Sequence, residues 1–587
     1  MNARIVSLLA GVIFLGLAAF VQGLLPLLEP QSRRPDVTKV VRTDLGELKW
    51  MRDVATNYTE LQQLGRDVYR REGCWYCHSQ YVRPVAGESR RWGPVAQAGE
   101  YYWDRPHLWS TRRIGPDVSR VGLKYSDEWH IAHFWNPRMV VRDSIMPRFS
   151  GLFEQAPGRI AVTTDDAGRR TLERNATSER FFDLEADDEL LLTPNAEGLL
   201  YVHSEDGEYP LPYYPVIHTP NDEFTGEQVQ LIGATRELIA LVAYLQKLGT
   251  NRGMWRDVWE PQRISVSAGD IPRSEDLIAH GQDVYKRRCV GCHGVDGDGN
   301  GPAATFLYRF RPRDFTLAVF KFRNTPSGSL PTDGDLMRVV TRGVRGTAMP
   351  SWHMLPEADR LAVIQYIKTE LAVDRSDPGF PWAYFEEEAP DQPIWIGRPP
   401  EPSADLVERG ADIWQNADCW ECHGDEGRGD GPEADDLEDD FGFPIRPANL
   451  TTGQFKSGPG VEDIFRTIST GLNGTPMPSY RDSRNEEERW ALAYYVLSLS
   501  AYKDPLTGEE LEIAEEDRAA LNAPTLQTPS TRHAYVPRGA PVRRPGDPIS
   551  TIERYAQRKG IEIPEFDVQA GHEDNLAVTP RSDRRTP

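Results

Sequence analysis

Apolar residues form one nearly continuous stretch at the start of the chain and afterwards occur only in short, amphipathic segments. From residue 5 to about residue 28 the run is interrupted mainly by Ser7, Gln22 and Pro26, and it is long enough for one tilted membrane span. The pattern predicts a single transmembrane anchor over residues 1–30. A cleaved signal peptide is the alternative, but the run exceeds a usual apolar core and no small-x-small site follows it. Downstream, apolar positions recur with helical period in LIALVAYLQKLG (238–249), LAVIQYIKTEL (361–371) and WALAYYVLSLS (490–500). Between about 154 and 224 the short runs IAVTT, ELLLT and GLLYVHS, separated by Asp, Gly and Asn, predict a small β insertion. Beyond residue 503 the chain is rich in Pro, Arg and Glu with little apolar periodicity, which predicts an extended or disordered tail over 503–587.

The amphipathic segments belong to an internal repeat. Each is matched upstream by a helical segment of shared signature: Gly65-Arg66-Asp67-Val68-Tyr69, Gly281-Gln282-Asp283-Val284-Tyr285 and Gly410-Ala411-Asp412-Ile413-Trp414. The closing helices carry Tyr244, Tyr366 and Tyr495 at one common position. A glycine on the first helix lets two helices cross closely, and an aromatic fills the crossing. The expected architecture is mainly α: an anchor, then units at 42–253 (insertion at about 154–224), 272–375 and 401–502, then the tail.

Composition narrows what such a chain can be. At 587 residues it is too long for one core. Hydrophobic residues make up 39% and the mean hydropathy is -0.54, which excludes a polytopic membrane protein. The formal charge of -22 excludes a nucleic-acid partner, which would need basic surfaces.

The chemistry lies in one pentapeptide that occurs three times. Cys74-Trp75-Tyr76-Cys77-His78, Cys289-Val290-Gly291-Cys292-His293 and Cys419-Trp420-Glu421-Cys422-His423 together use all 6 cysteines. Two thiols at this spacing add across the vinyl groups of one porphyrin, and the adjacent imidazole reaches the iron. A zinc knuckle or a thioredoxin-like pair requires no following histidine and would not consume every cysteine three times over. The reading is three covalently bound haem c groups, with no disulfide and no thiolate copper centre in this chain.

Between the paired helices lie Pro116, Pro312 and Pro447, then the pairs Met146-Pro147, Met349-Pro350 and Met477-Pro478. This order resembles the class I cytochrome c fold in all three units. The resemblance implies that each proline carbonyl orients its proximal imidazole (His78, His293, His423) and that Met146, Met349 and Met477 are distal iron ligands. In the third unit Met477 is the sole methionine and His423 the sole histidine, so bis-histidine ligation is unavailable there. Met337 and Met354 compete with Met349, and Met139 with Met146; the Met-Pro context favours the named residues.

The first unit carries more. Its runs GRDVYRREGCWYCHSQYVRPV, AGEYYWDRPHLWSTRRIGPDVSRVG and YSDEWHIAHFWNPRMVVRDSIMP resemble the mono-haem membrane subunit of cbb3-type cytochrome c oxidases, with the β insertion as the departure. The second and third units share loops at 297–302 and 427–432 that are too general to name a partner. The resemblance implies an electron-transfer subunit, without an active site of its own, that passes electrons from a soluble periplasmic cytochrome c or other donor to a haem-copper catalytic membrane subunit. An electron-transfer subunit of a nitric oxide reductase is the nearest alternative. A multi-haem peroxidase or nitrite reductase, or an acceptor for a dehydrogenase, are others. Arg4 precedes the apolar run while Arg33, Arg34, Lys39 and Arg42 follow it, which by charge alone would keep the bulk in the cytoplasm. Haem attachment of this kind resembles the bacterial c-type system, matured outside the cytoplasmic membrane, so the units are expected on the periplasmic side. The acidic residues Glu433, Asp435, Asp436, Glu438, Asp439 and Asp440 are expected to attract a basic donor.

Overall fold

The computed structural model describes residues 3–24, 34–85, 87–155, eight strands between 153 and 234, the stretch 235–259, and then 273–307, 310–376, 379–443 and 445–522. Within it the predicted repeat is a repeat of structure. Opening helices run over Glu60–Arg71, Glu275–Arg288 and Ala404–Asn416, each started by a hydroxyl cap from Thr59, Ser274 or Ser403. Closing helices run over Arg236–Lys247, Glu357–Tyr366 and Glu486–Ser498. The two cross so closely in each unit that only glycine fits. A Cβ on Gly65 would lie 1.8 Å from the Ala240 carbonyl oxygen, on Gly281 2.0 Å from that of Ala362, and on Gly410 2.2 Å from that of Ala491. The predicted aromatic sits at the crossing each time, with the Cβ atoms of Tyr244, Tyr366 and Tyr495 at 2.8, 2.9 and 2.6 Å from the same points.

Each Cys-x-x-Cys-His segment follows the opening helix as a short turn. Gly73 (φ 73°) and Asp418 (φ 54°) take the left-handed conformation that reverses the chain into the first and third motifs. A middle helix then bridges to the Met-Pro loop: Asp127–Trp135, Asp333–Arg342 and Val461–Thr470.

The expected β insertion is a sheet of antiparallel strands. Phe153–Gln155 pairs with Gln228–Ala234, which continues through Ile160–Thr164, Arg170–Leu172, Glu189–Leu192, Leu200–Ser204 and Gly207–Pro210; Val216–Ile217 also pairs with Gln228–Ala234. The chain leaves and re-enters the helical core at adjacent points. Phe153 stands opposite Ala234, and the Thr235 hydroxyl donates to the Leu152 carbonyl at 2.7 Å. An insertion closed at its base in this way leaves the closing helix in place.

Two expectations change. The apolar N-terminus forms a helix over Ala3–Ala19, 17 residues, continued by one π turn over Phe20–Leu24. Among the described residues no helix is long and apolar enough to cross a membrane. Its apolar side chains are exposed, Phe14 at 71% and Leu15 at 74%. The tail, expected to be disordered from 503, is folded as far as 522. The helix Glu515–Asn522 lies against the hairpin Asp36–Arg42/Leu48–Val54: Lys49 Nζ donates to the Leu521 carbonyl at 2.5 Å, and the Asn522 side chain bonds Asp44. Polar contacts to a distant segment hold it, and these leave no apolar period in the sequence. Residues 523–587 lie outside the described residues.

The units meet at a buried charge cluster. Arg42 of the hairpin, 1% exposed, lies 3.6 Å from Asp257, which also takes Arg345 of the second unit; Arg42 Nη2 donates to the Pro459 carbonyl of the third unit at 3.5 Å. Arg342 and Asp463 join the second and third units at 3.2 Å.

Gly410→Ala is expected to cost about 1–3 kcal/mol in denaturant unfolding, because the carbonyl it meets belongs to a helix backbone that cannot move aside. Gly151→Ala, where a Cβ meets nothing within 4 Å, is the control and is expected to change stability by less than about 0.5 kcal/mol.

Candidate haem sites

The histidines of the three motifs face main-chain carbonyls, but not always those of the predicted prolines. His78 Nδ1 donates to the Pro116 carbonyl at 2.9 Å, as expected. His293 Nδ1 instead donates to the Arg313 carbonyl at 3.0 Å, one residue beyond Pro312. His423 Nδ1 is turned toward the Ala448 carbonyl, one residue beyond Pro447, without a hydrogen bond of good geometry. The shared feature is the side-chain turn that follows. Asp117, Asp314 and Asn449 accept from the backbone N–H of Ser119, Thr316 and Thr451 at 2.9, 2.8 and 3.0 Å. In all three units the carbonyl facing the imidazole belongs to the residue before this turn. Pro116 occupies that position, whereas Pro312 and Pro447 stand one place earlier. An Asp/Asn-x-Ser/Thr pattern would have found the position from sequence.

An imidazole that donates through Nδ1 presents its Nε2 lone pair away from the carbonyl. Burial favours the neutral ring that ligation requires. It lowers the pKa of His78 and His423, and that of His293 to about 4. Burial also pushes the thiols of Cys74, Cys289 and Cys292 up to about 12 and Cys419 up to about 11. Burial favours the uncharged form of these sulfurs, as a thioether would be.

The distal methionines share a support that the sequence reading missed. A hydroxyl two residues earlier accepts the methionine N–H: Ser144 for Met146 at 3.2 Å, Thr347 for Met349 at 3.1 Å and Thr475 for Met477 at 3.3 Å. In the second and third units the loop is closed further by Val344 N–H to the Met349 carbonyl and Leu472 N–H to the Met477 carbonyl, both 3.1 Å. The competing methionines stand elsewhere. Met337 is wholly buried core, Met354 is 64% exposed, and Met139 packs in the core of the first unit.

Cys289, Cys292, His293 and Met349 line one cavity of about 480 Å³, and Cys419, Cys422, His423 and Met477 line another of about 210 Å³. Each is lined by both the motif's residues and the methionine, among mainly apolar side chains, which suits a porphyrin. The cavities adjoin: Lys321, Phe322, Ile445 and Lys456 border both. Beside them lies a small cleft walled by Lys321, Arg323, Arg338, Arg342, Lys456 and Arg466. Burial together with Arg313 and Lys456 lowers the pKa of Lys321 to about 7. Nitrogens of Arg323, Arg342 and Arg466 are buried there without a hydrogen-bond partner. Unspent buried donors in a cationic cleft suit the carboxylates that a haem carries at its edge.

In the first unit His133 intervenes. Its Nε2 lies 3.1 Å from the Met146 sulfur, while its Nδ1 and the His130 Nε2 are buried without a partner. Burial lowers the pKa of both rings to about 3, with His133 adding to it for His130 and His78 adding to it for His133.

The acidic run is not simply a solvated patch. Asp439 accepts the N–H of both Phe441 and Phe443, and Asp435 pairs with Arg446; Glu433, Asp436, Glu438 and Asp440 are exposed.

Residues 48–252 match the family described as cytochrome C oxidase, mono-heme subunit/FixO; residues 276–367 match cytochrome C oxidase, cbb3-type, subunit III; and residues 407–500 match cytochrome c. The second match falls on a unit whose sequence motifs alone were too general to name a partner. One solved structure, from the Kuenenia stuttgartiensis reducing HAO-like protein complex Kustc0457/Kustc0458, is 40% identical over 40% of this chain and 99% of that chain, with a TM-score of 0.36. No curated protein matches.

Thr475→Val keeps the volume but removes the acceptor of the Met477 N–H, and is expected to cost about 1 kcal/mol in denaturant unfolding of the holoprotein. Thr475→Ser, which retains the hydroxyl, should recover most of it.

Proposed function

We propose that this chain, a FixO-like cytochrome c extended by further c-type domains, is a tri-haem subunit that carries electrons from a periplasmic donor to the haem-copper catalytic subunit of a cbb3-type oxidase. The observation that carries the reading is the threefold Cys-x-x-Cys-His segment with an imidazole facing a main-chain carbonyl and a supported methionine in each unit. Cytochrome c domains imply covalently bound haem c, and the cbb3 families imply association with a haem-copper oxidase.

Bound haem c supplies a one-electron ferric–ferrous couple. The protein's part is to hold and tune it. Cys74 and Cys77, Cys289 and Cys292, and Cys419 and Cys422 would anchor the three groups as thioethers. His78, His293 and His423, together with Met146, Met349 and Met477, would hold the irons and leave no position for substrate. The apolar walls of the second and third cavities would shield their groups, and the cationic cleft beside them would neutralise carboxylates.

The helix Ala3–Ala19, with the apolar residues after it, holds the chain at the bacterial cytoplasmic membrane, and the three units stand on the periplasmic side. The first unit, which bears the oxidase match, faces the catalytic subunit. The third, with Glu433, Asp436, Glu438 and Asp440 on its surface, receives the donor.

A haemochrome assay against protein mass is expected to give three haems per chain. Cys289→Ala with Cys292→Ala should remove one and leave two; any other count contradicts the reading. In the ferric holoprotein a near-infrared thioether band is expected to weaken by about a third on Met477→Ala, since the three irons share one ligation type. A persistent high-spin signal in the wild type would favour peroxidase or nitrite-reductase chemistry instead. With the catalytic subunit bound, consumption of nitric oxide rather than oxygen would move the assignment to a nitric oxide reductase.

A further inference from the structure

The second unit touches both of its neighbours through the walls of its haem cavity. Toward the first unit, Trp129 and Val140 line that cavity together with Cys289, Cys292 and His293. The approach is very close. A Cβ on Gly291, inside the second Cys-x-x-Cys-His, would lie 1.9 Å from the Met139 carbonyl oxygen, and Arg142 donates to the Lys286 carbonyl at 2.9 Å. Ala303, Phe306 and Leu307 of the second unit share one apolar core with Trp129 and Met139 of the first.

Trp129 is also the middle of a ring stack. Its ring lies on Tyr125, centroids 3.9 Å apart at 10°, and on His133, 4.7 Å at 11°. His133 in turn reaches the Met146 sulfur at 3.1 Å. The contacts therefore run without a gap from the distal residue of the first unit, through two parallel rings, to the wall of the second cavity. On the other side, Lys321, Phe322, Ile445 and Lys456 are common to the second and third cavities.

We propose that Trp129, stacked on His133, is the contact through which the first and second units exchange electrons, and that the second unit stands between the other two in the relay. The proposal rests on the tri-haem reading above. One electron leaves the haem held by Cys289, Cys292 and His293, oxidising its iron from ferrous to ferric, and the iron held by His78 and Met146 is reduced from ferric to ferrous. No bond forms or breaks and no proton moves. Trp129 is a positioning residue: its ring closes the distance with polarisable atoms at stacking separation, and His133 fixes the thioether against it.

The test uses the full-length holoprotein, reduced by pulse radiolysis and followed optically as the electron redistributes among its haems. Trp129→Leu is expected to slow the redistribution between the first and second haems about tenfold, equivalent to about 1.4 kcal/mol of added barrier, and Trp129→Phe to restore most of the rate. Haem content and the near-infrared thioether band are recorded for each variant, and rates are compared between proteins that carry three haems. Phe306→Leu removes a ring from the same interface outside the stack and is expected to leave the rate close to wild type. If Trp129→Leu fails to load three haems, Trp129→Met, which fills the space without a ring, is judged by the same criteria. A wild-type rate in the ringless variant, or an equal loss in Phe306→Leu, overturns the proposal. A wild-type protein with three haems but no intramolecular phase overturns the electron-transfer reading itself, and this contact with it.

Discussion

Each unit is built on a helix crossing in which one helix backbone touches another. Gly65, Gly281 and Gly410 bring the opening helix within reach of a carbonyl on the closing helix, and Tyr244, Tyr366 and Tyr495 seal the contact. The crossing sets the direction in which the opening helix ends, and therefore where the two cysteines and the histidine begin. Everything that faces the histidine hangs from the same pair. The Met-Pro loop runs directly into the closing helix in the second and third units, and in the first it returns to it through a sheet anchored at Leu152 and Thr235. A displacement at the glycine would move the proximal and distal walls apart together.

The second constraint is electrostatic and acts between units. Arg42 and Asp257 are almost wholly buried, and Arg345 and Asp463 extend the cluster into the second and third units. Buried ion pairs contribute little net stability, because desolvation offsets their attraction, but they penalise every arrangement that leaves one charge unpaired. Such a cluster selects one mutual orientation of the units. That orientation places the wall of the second cavity against Trp129 on one side and against Phe441, Phe443 and Ile445 on the other.

Much of this could be read from the sequence, for physical reasons. Glycine and aromatic at fixed places on two amphipathic helices state a close crossing, and a thiol–thiol–imidazole triplet states its own chemistry. The prolines misled by one residue in the second and third units. The carbonyl that meets the imidazole is set by the turn of Asp314 or Asn449, whereas the fixed φ of Pro312 or Pro447 sets only the approach to it. Thr347 and Thr475 stand in a Gly-Thr-x-Met-Pro-Ser context shared by the second and third units, but their support of the methionine N–H, and that of Ser144, was illegible because a single hydroxyl before a methionine has no period. The fold of residues 503–522 was illegible because contacts such as Lys49 to Leu521 join residues far apart in the chain. The N-terminal stretch shows the converse limit. Its composition is that of a membrane span, yet the regular helix in it ends at Ala19.

The central claim is that the three sites form one conductor with the second in the middle. Pulsed dipolar electron paramagnetic resonance on the fully oxidised, full-length holoprotein measures this directly, because the magnetic coupling between two low-spin irons falls with the cube of their separation. The account predicts strong coupling of the second haem to both the first and the third, and a clearly weaker coupling between the first and third. Three uncoupled spectra, or a dominant coupling between the first and third, would contradict it.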